Sequence, residues 1–94
     1  MDTHLTLTKL KDSLDHNYVK KVASHLILVV KRGDKHEQIV LDKPFAEKIE
    51  NICNDHEEDC TLKGAPHIKI IAAKYTTTRL LTENLQRIHE HLQK

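Results

Sequence analysis

Apolar residues recur along this chain at two periods, and the two periods divide it into helices and strands. Near the start the spacing alternates between three and four, which is typical of an amphipathic helix over roughly residues 6–22. Two weak helix formers, His16 and Asn17, predict a break within it. The stripe consists of Leu7, Leu10, Leu14, Tyr18 and Val22.

The next segment predicts a β-hairpin. Leu26 to Val30 is an unbroken apolar run, and a strand without alternation is typically buried on both faces. A polar connection containing Gly33 follows, and Glu37 to Leu41 is the predicted returning strand. The first strand should therefore occupy an internal position in a sheet.

Helical periodicity returns in the second half of the chain. Asp42 and Pro44 predict a helix start, because a capping side chain is followed by a residue whose φ is already set. The helix stripe runs from Phe45 to His56 and fades in an acidic stretch. His67 to Ala73 is a third predicted strand, with Ile68, Ile70 and Ala72 on one face. A final helix carries the stripe Leu81, Leu85, Ile88 and Leu92.

The element order α-β-β-α-β-α predicts a single α+β domain over residues 1–94. Strands one and two pair as a hairpin. A helix joins strands two and three, so a right-handed crossover is expected if these two strands are parallel. Placing strand one between them gives a three-stranded mixed sheet in the order 2-1-3, with helices packed on it.

Composition narrows the functional class. Fifteen Lys and Arg residues against fourteen Asp and Glu residues give a net charge of +1, which argues against binding to nucleic acid by bulk charge. Only Tyr18, Phe45 and Tyr75 are aromatic, so a base-stacking platform is poorly supplied. No apolar run approaches the ~20 residues of a membrane helix, and Met1–His4 lacks the features of a signal peptide. We therefore expect a cytoplasmic protein without membrane association.

A metal site is the first candidate chemistry. Cys53, His56, Cys60 and His67 provide thiolates and imidazoles in a set that suits tetrahedral zinc. Their spacing matches no zinc signature, however, and free cysteine on an apolar stripe is commonly buried in a core. A Cys53–Cys60 disulfide is a third option, and it requires the helix to end by about His56.

Two sets of basic residues are candidate anion sites. One lies where the third strand passes into the last helix, since helix N-termini bind anions; a threonine N-cap with solvated cations explains it without a ligand. The other is the hairpin turn, where Lys20 and Lys21 could extend a nucleic-acid patch and where Arg32-Gly33-Asp34 is also the tripeptide of integrin ligands. The candidates are Lys31, Arg32, Lys35, Lys74, Thr76, Thr77, Thr78 and Arg79.

A homodimer is a further expectation. Leu80 lies off the stripe of the last helix, and strand three would present an unpaired edge if it bounds the sheet. Either feature could contact a second copy of the chain.

No catalytic motif is present in the sequence. Glycine-rich phosphate loops, the G-x-S-x-G elbow and H-E-x-x-H are all missing. We therefore expect a small non-enzymatic binding or regulatory module that acts through protein–protein contacts and has no cofactor. The alternatives are a nucleic-acid-binding protein that uses the two basic sets, and a small zinc-stabilised domain.

Overall fold

A four-stranded antiparallel sheet organises the fold. The computed structural model describes residues 5–92, and its strands lie in the order β2-β1-β4-β3 with every neighbouring pair antiparallel. The strands are β1 (His25–Arg32), β2 (Lys35–Asp42), β3 (Thr61–Leu62) and β4 (Ala65–Thr76). The helices are α1 (Leu7–Leu14), α2 (Asn17–Val22), α3 (Phe45–Asp55) and α4 (Leu81–Leu92), the last preceded by a 3₁₀ turn at Thr78–Leu80.

The predicted α+β class is confirmed, but the predicted sheet is wrong. The structure has four strands in the order β2-β1-β4-β3 rather than three in the order 2-1-3, and no neighbouring strands are parallel. The additional strand, Thr61–Leu62, is too short to leave a periodic signal in the sequence. β2 and β4 each run antiparallel to β1, which lies between them, so the connection through α3 joins strands that are not neighbours.

The two faces of β1 are buried against different helices. Leu26, Leu28 and Val30 join one core cluster with residues of α1 and α3, including Leu10 and Phe45. Successive strand residues point to opposite faces, so the side chains between these three face the other side, where α4 packs. This arrangement explains the unbroken apolar run, because one strand supplies side chains to two layers.

The first predicted helix is broken where the sequence indicated. α1 ends at Leu14 and α2 begins at Asn17, and the His16 ring accepts a hydrogen bond from the Val19 backbone N–H at 3.4 Å. Only the first part of the stripe is buried. Tyr18 and Val22 are largely exposed, because α2 after the break no longer continues the line of α1.

The start of α3 differs from the prediction. Pro44 occupies the N-cap position without a capping side chain, and the helix begins at Phe45. Asp42 instead remains in β2, with its carboxylate 3.2 Å from Nε2 of His25. No helix within residues 5–92 has the length and apolar character needed to cross a membrane. The prediction about Met1–His4 lies outside the described residues.

Strand three of the sequence prediction, one of the two features that suggested a homodimer, is not at the sheet edge. It corresponds to β4, which pairs with β1 on one side and with β3 on the other. Because β3 is only two residues long, it shields only the first half of β4, and this incomplete cover shapes the candidate site.

Candidate functional site

A groove lies between α4 and β4, because a single helix cannot cover that whole face of the sheet. Its cavity has a volume of about 460 Å³. Val29, Ile71 and Ala72 contribute to the sheet side, and Ile88 and Leu92 contribute to the helix side. The base of the groove is therefore apolar.

Basic side chains surround this apolar base. Lys74 from β4 and Arg87 and His91 from α4 complete the lining. The Arg87 guanidinium donates a hydrogen bond of 2.5 Å to the Glu83 carboxylate one turn earlier, and both side chains are more than half exposed. The groove thus combines an apolar base with a mainly positive rim.

The outer edge of β4 is open beside this groove. β3 pairs with β4 only through Thr61 and Leu62, opposite Lys69 and Ala65, and the Ile70 N–H donates to the Cys60 carbonyl at 3.1 Å. Beyond Ile70, no strand of the described chain pairs with that edge. An open strand edge leaves backbone hydrogen-bonding groups that another chain can use.

A β-bulge places two consecutive residues in the groove. Val29 lies opposite Ala72 while Val30 lies opposite Ile70, so Ile71 is an extra residue in β4. A bulge disturbs the alternation of faces along a strand. The prediction that Ile70 and Ala72 share a face is therefore wrong: Ile70 joins the core cluster, whereas Ala72 lines the groove.

Asn84 attaches α4 to β4. Its amide nitrogen donates to the Thr76 hydroxyl at 2.5 Å, and its carbonyl oxygen accepts from the Lys74 ammonium at 3.0 Å. Both Asn84 and Thr76 are buried. Asn84 was not among the predicted site residues, although its position three residues after Leu81 and four before Ile88 places it on the apolar stripe of α4.

Two residues of the predicted anion site at the end of β4, Thr76 and Thr77, form hydrogen bonds within the fold. Thr76 is buried against Asn84, and the Thr77 hydroxyl accepts from the Leu80 N–H at 3.3 Å as an N-cap. Thr78 and Arg79 remain exposed in the 3₁₀ turn. The N-cap explanation therefore accounts for Thr77.

The two predicted basic sets lie at opposite ends of the sheet. β1 begins opposite Thr76 and ends at Arg32 beside the hairpin turn, and its eight residues span about 23 Å at ~3.3 Å per step. Lys20 and Lys21 belong to α2, which leads into the start of β1, away from the hairpin. Lys31 lies directly opposite Lys69 of β4, whereas Lys35 lies opposite Arg32 and therefore on the other face of the sheet.

The four candidate zinc ligands make separate contacts within the fold. Cys60 is buried in a turn with a φ of 70°, and burial raises the pKa of its thiol. The His56 ring lies 2.7 Å from the Ile52 carbonyl, while the His67 carbonyl accepts from the Gly33 N–H. Within residues 5–92, no group of three or more His, Cys, Asp or Glu residues is placed to hold a metal ion. The zinc hypothesis stays a prediction.

The disulfide option meets one of its conditions. α3 ends at Asp55, as a bridge between Cys53 and Cys60 requires, yet both residues are free cysteines. Cys60 instead packs in the core, and its Sγ lies 3.8 Å from the Leu5 carbonyl.

Comparison with known proteins supplies no function. No protein-family model matches this chain, and no curated protein or solved structure matches it either. The groove and the open edge of β4 are the features of this molecule that suggest a function.

Proposed function

We propose that this protein is a small, non-enzymatic binding module that captures an extended segment of a partner protein along the outer edge of β4. The observation that carries the proposal is the coincidence of two features. The unpaired stretch of β4 after Ile70 borders the apolar groove that β4 forms with α4. An open edge beside a pocket is the arrangement used in binding by β-strand addition.

The strand edge and the groove would contribute to binding in different ways. Main-chain hydrogen bonds to β4 supply affinity that does not depend on the partner's sequence, and alternate side chains of the added strand enter the groove. A cavity of about 460 Å³ lies in the lower half of the size range of ligand sites. Such a volume suits one or two apolar side chains.

The rim selects the charge of the partner segment. Lys74, Arg87 and His91 line the groove, and Glu83 offsets part of the Arg87 charge. Charge complementarity favours encounter with an acidic segment and disfavours a basic one. We therefore expect the bound segment to carry acidic residues next to an apolar anchor.

Filling the groove should abolish this binding. Ala72→Trp places a large ring at the base of the groove, whereas Ala46→Trp adds the same ring at an exposed position on α3. Peptides selected by the wild-type protein from a displayed random library should lose at least about tenfold in affinity for the first variant, or ~1.4 kcal/mol. Fluorescence anisotropy with labelled peptides measures the change.

The Ala46 variant is the matched control and should bind like the wild type. Circular dichroism and thermal melting would establish that both variants are folded. Failure to select any peptide, or equal binding by the Ala72 variant, would contradict the proposal.

A second candidate function is binding of a nucleic-acid backbone at the hairpin end of the sheet. Lys31 lies directly opposite Lys69 on β4 and His36 on β2, and like charges directly opposite one another destabilise a sheet. Asp59 offsets part of this charge: hydrogen bonds from Thr61, and then the charge of Lys69, lower the pKa of Asp59. A polyanion would relieve the remaining repulsion.

A salt titration tests this second candidate. Affinity for a single-stranded oligonucleotide should fall as salt rises, and Lys31→Glu should weaken binding and reduce the salt slope by about 1. Lys9→Glu, which changes an exposed lysine on α1, is the control and should leave the slope unchanged. Undetectable binding at low salt, or an unaltered slope in the Lys31 variant, would remove this candidate.

A further inference from the structure

β2 presents a second open edge, on the opposite side of the sheet from β3. It forms eight residue pairs with β1, and no strand within residues 5–92 pairs with its other side. Its centre exposes two apolar side chains, Ile39 at 37% and Val40 at 39%. Because successive residues of a strand point to opposite faces, the edge is apolar on both faces at this point.

We propose that β2 pairs in antiparallel fashion with β2 of a second copy of this chain, which joins the two sheets into one. The interface would be isologous, with one two-fold axis perpendicular to the sheet. The inference is independent of the peptide-binding function, since the β4 groove lies on the far side of β1.

Symmetry limits the register of this pairing. A two-fold axis perpendicular to the sheet keeps each face on its own side, so directly opposite residues must point to the same face. The axis then lies midway between one residue and its own copy in the partner subunit, and these two residues pair. The longest pairings within β2 (Lys35–Asp42) are centred on Gln38, joining residues 35–41, or on Ile39, joining residues 36–42.

The side chains favour the register centred on Ile39. It places His36 opposite Asp42 of the partner subunit at both ends of the ladder, and it places the two Ile39 side chains against each other. A histidine beside a carboxylate and an apolar pair across neighbouring strands are both favourable, and Asp42 also lies 3.2 Å from the His25 ring of its own chain. The register centred on Gln38 instead sets both Lys35 and Glu37 opposite apolar side chains, whereas the register centred on Ile39 does so only for Glu37, which lies opposite Leu41 of the partner subunit.

The backbone geometry makes this register testable by a disulfide. A two-residue loop with Gly33 at a φ of 61° joins β1 to β2, and the turn hydrogen bond makes Arg32 and Lys35 a hydrogen-bonded pair. Alternation along the ladder directs the N–H and C=O of Ile39 toward β1. The Ile39 pair across the axis is then non-hydrogen-bonded, with Cα atoms about 4.5 Å apart, within the range of a disulfide.

Ile39→Cys should form a covalent dimer under mild oxidation, visible on a non-reducing gel and by mass spectrometry. Glu37→Cys is the matched control, because residue 37 lies two positions away on the same face but opposite Leu41 of the partner subunit. The wild type controls for Cys53 and Cys60. Equal cross-linking of the two variants, or none in the Ile39 variant, would overturn the proposed register.

Analytical ultracentrifugation measures dimer formation without a covalent cross-link. The wild type should dimerise with increasing concentration, and Ile39→Lys should be monomeric because it places two cations against each other at the axis. Leu80→Lys changes an apolar residue with 45% exposure outside β2 and should remain dimeric. A wild type that stays monomeric throughout, or a dimer that survives in the Ile39 variant, would refute the proposal.

Separate variants test peptide binding at the β4 groove and dimerisation through β2. Ile39→Lys alters only the β2 edge, so it should retain wild-type affinity for peptides bound at the β4 groove. Conversely, Ala72→Trp should leave the dimer intact. Loss of the dimer in the Leu80 variant would move the interface to the surface before α4 and would also overturn pairing through β2.

Discussion

Leu26→Ala is expected to lower the free energy of unfolding by about 3–5 kcal/mol, the largest effect of any single truncation proposed for this protein. Leu26 is 0% exposed, and it lies in β1, which pairs with β2 on one side and β4 on the other. Truncation removes its contacts with the cluster that includes Leu10 and Leu14 and leaves a cavity. Because β1 is paired on both sides, its backbone cannot move to close that cavity.

Urea unfolding followed by circular dichroism measures this loss. A small domain has a total stability of about 5–15 kcal/mol, so the midpoint should shift far towards lower denaturant. Val22→Ala, at an exposed position on α2, should change stability by no more than about 0.5 kcal/mol. A loss below about 1 kcal/mol for the Leu26 variant would show that β1 is not the packed centre of the fold.

The second large effect is expected at Asn84. Asn84→Leu removes the donor to the buried Thr76 hydroxyl, which then keeps only its own bond to the Thr77 carbonyl, and should cost about 1–3 kcal/mol because a buried acceptor loses its donor. Since this bond attaches α4 to β4, the groove should also loosen and peptide affinity should fall. Thermal or urea unfolding measures the first effect, and peptide titration measures the second.

A double variant separates the hydrogen bond from simple packing. Thr76→Val combined with Asn84→Leu removes both partners, and such a replacement can be nearly neutral. The pair should therefore be more stable than the sum of the single variants predicts, and the cycle gives the coupling free energy. Gln86→Leu, at an exposed position on the same helix, controls for the added apolar surface. Additive effects would contradict a direct bond between the two residues.

The elements of this fold were largely predictable from the sequence, because each element of useful length repeats its apolar residues at its own period. The run from Leu26 to Val30 predicted a strand buried on both faces, and the stripe that begins at Phe45 predicted α3. β3 was not predictable, because two residues have no period. Nor was the bulge at Ile71, because an extra residue reverses the faces without changing the composition of the strand.

The candidate site was less predictable than the fold. Lys74, Arg87 and His91 are visible in the sequence as basic residues, but only the crossing of α4 over the sheet brings them around one cavity. Thr76 suggested a ligand site, whereas the structure buries it against Asn84. A polar residue on an apolar stripe was the one available signal for that bond.

By itself, the sequence determined the α+β class, the central place of β1 and the break between α1 and α2. Tertiary structure alone decided that β3 shields only half of β4, that α4 leaves a groove beside the other half, and that β2 has an open edge. The physical reason is that hydrophobic periodicity encodes which face of an element is buried. It does not encode which neighbour covers that face, or how far along the element the cover extends.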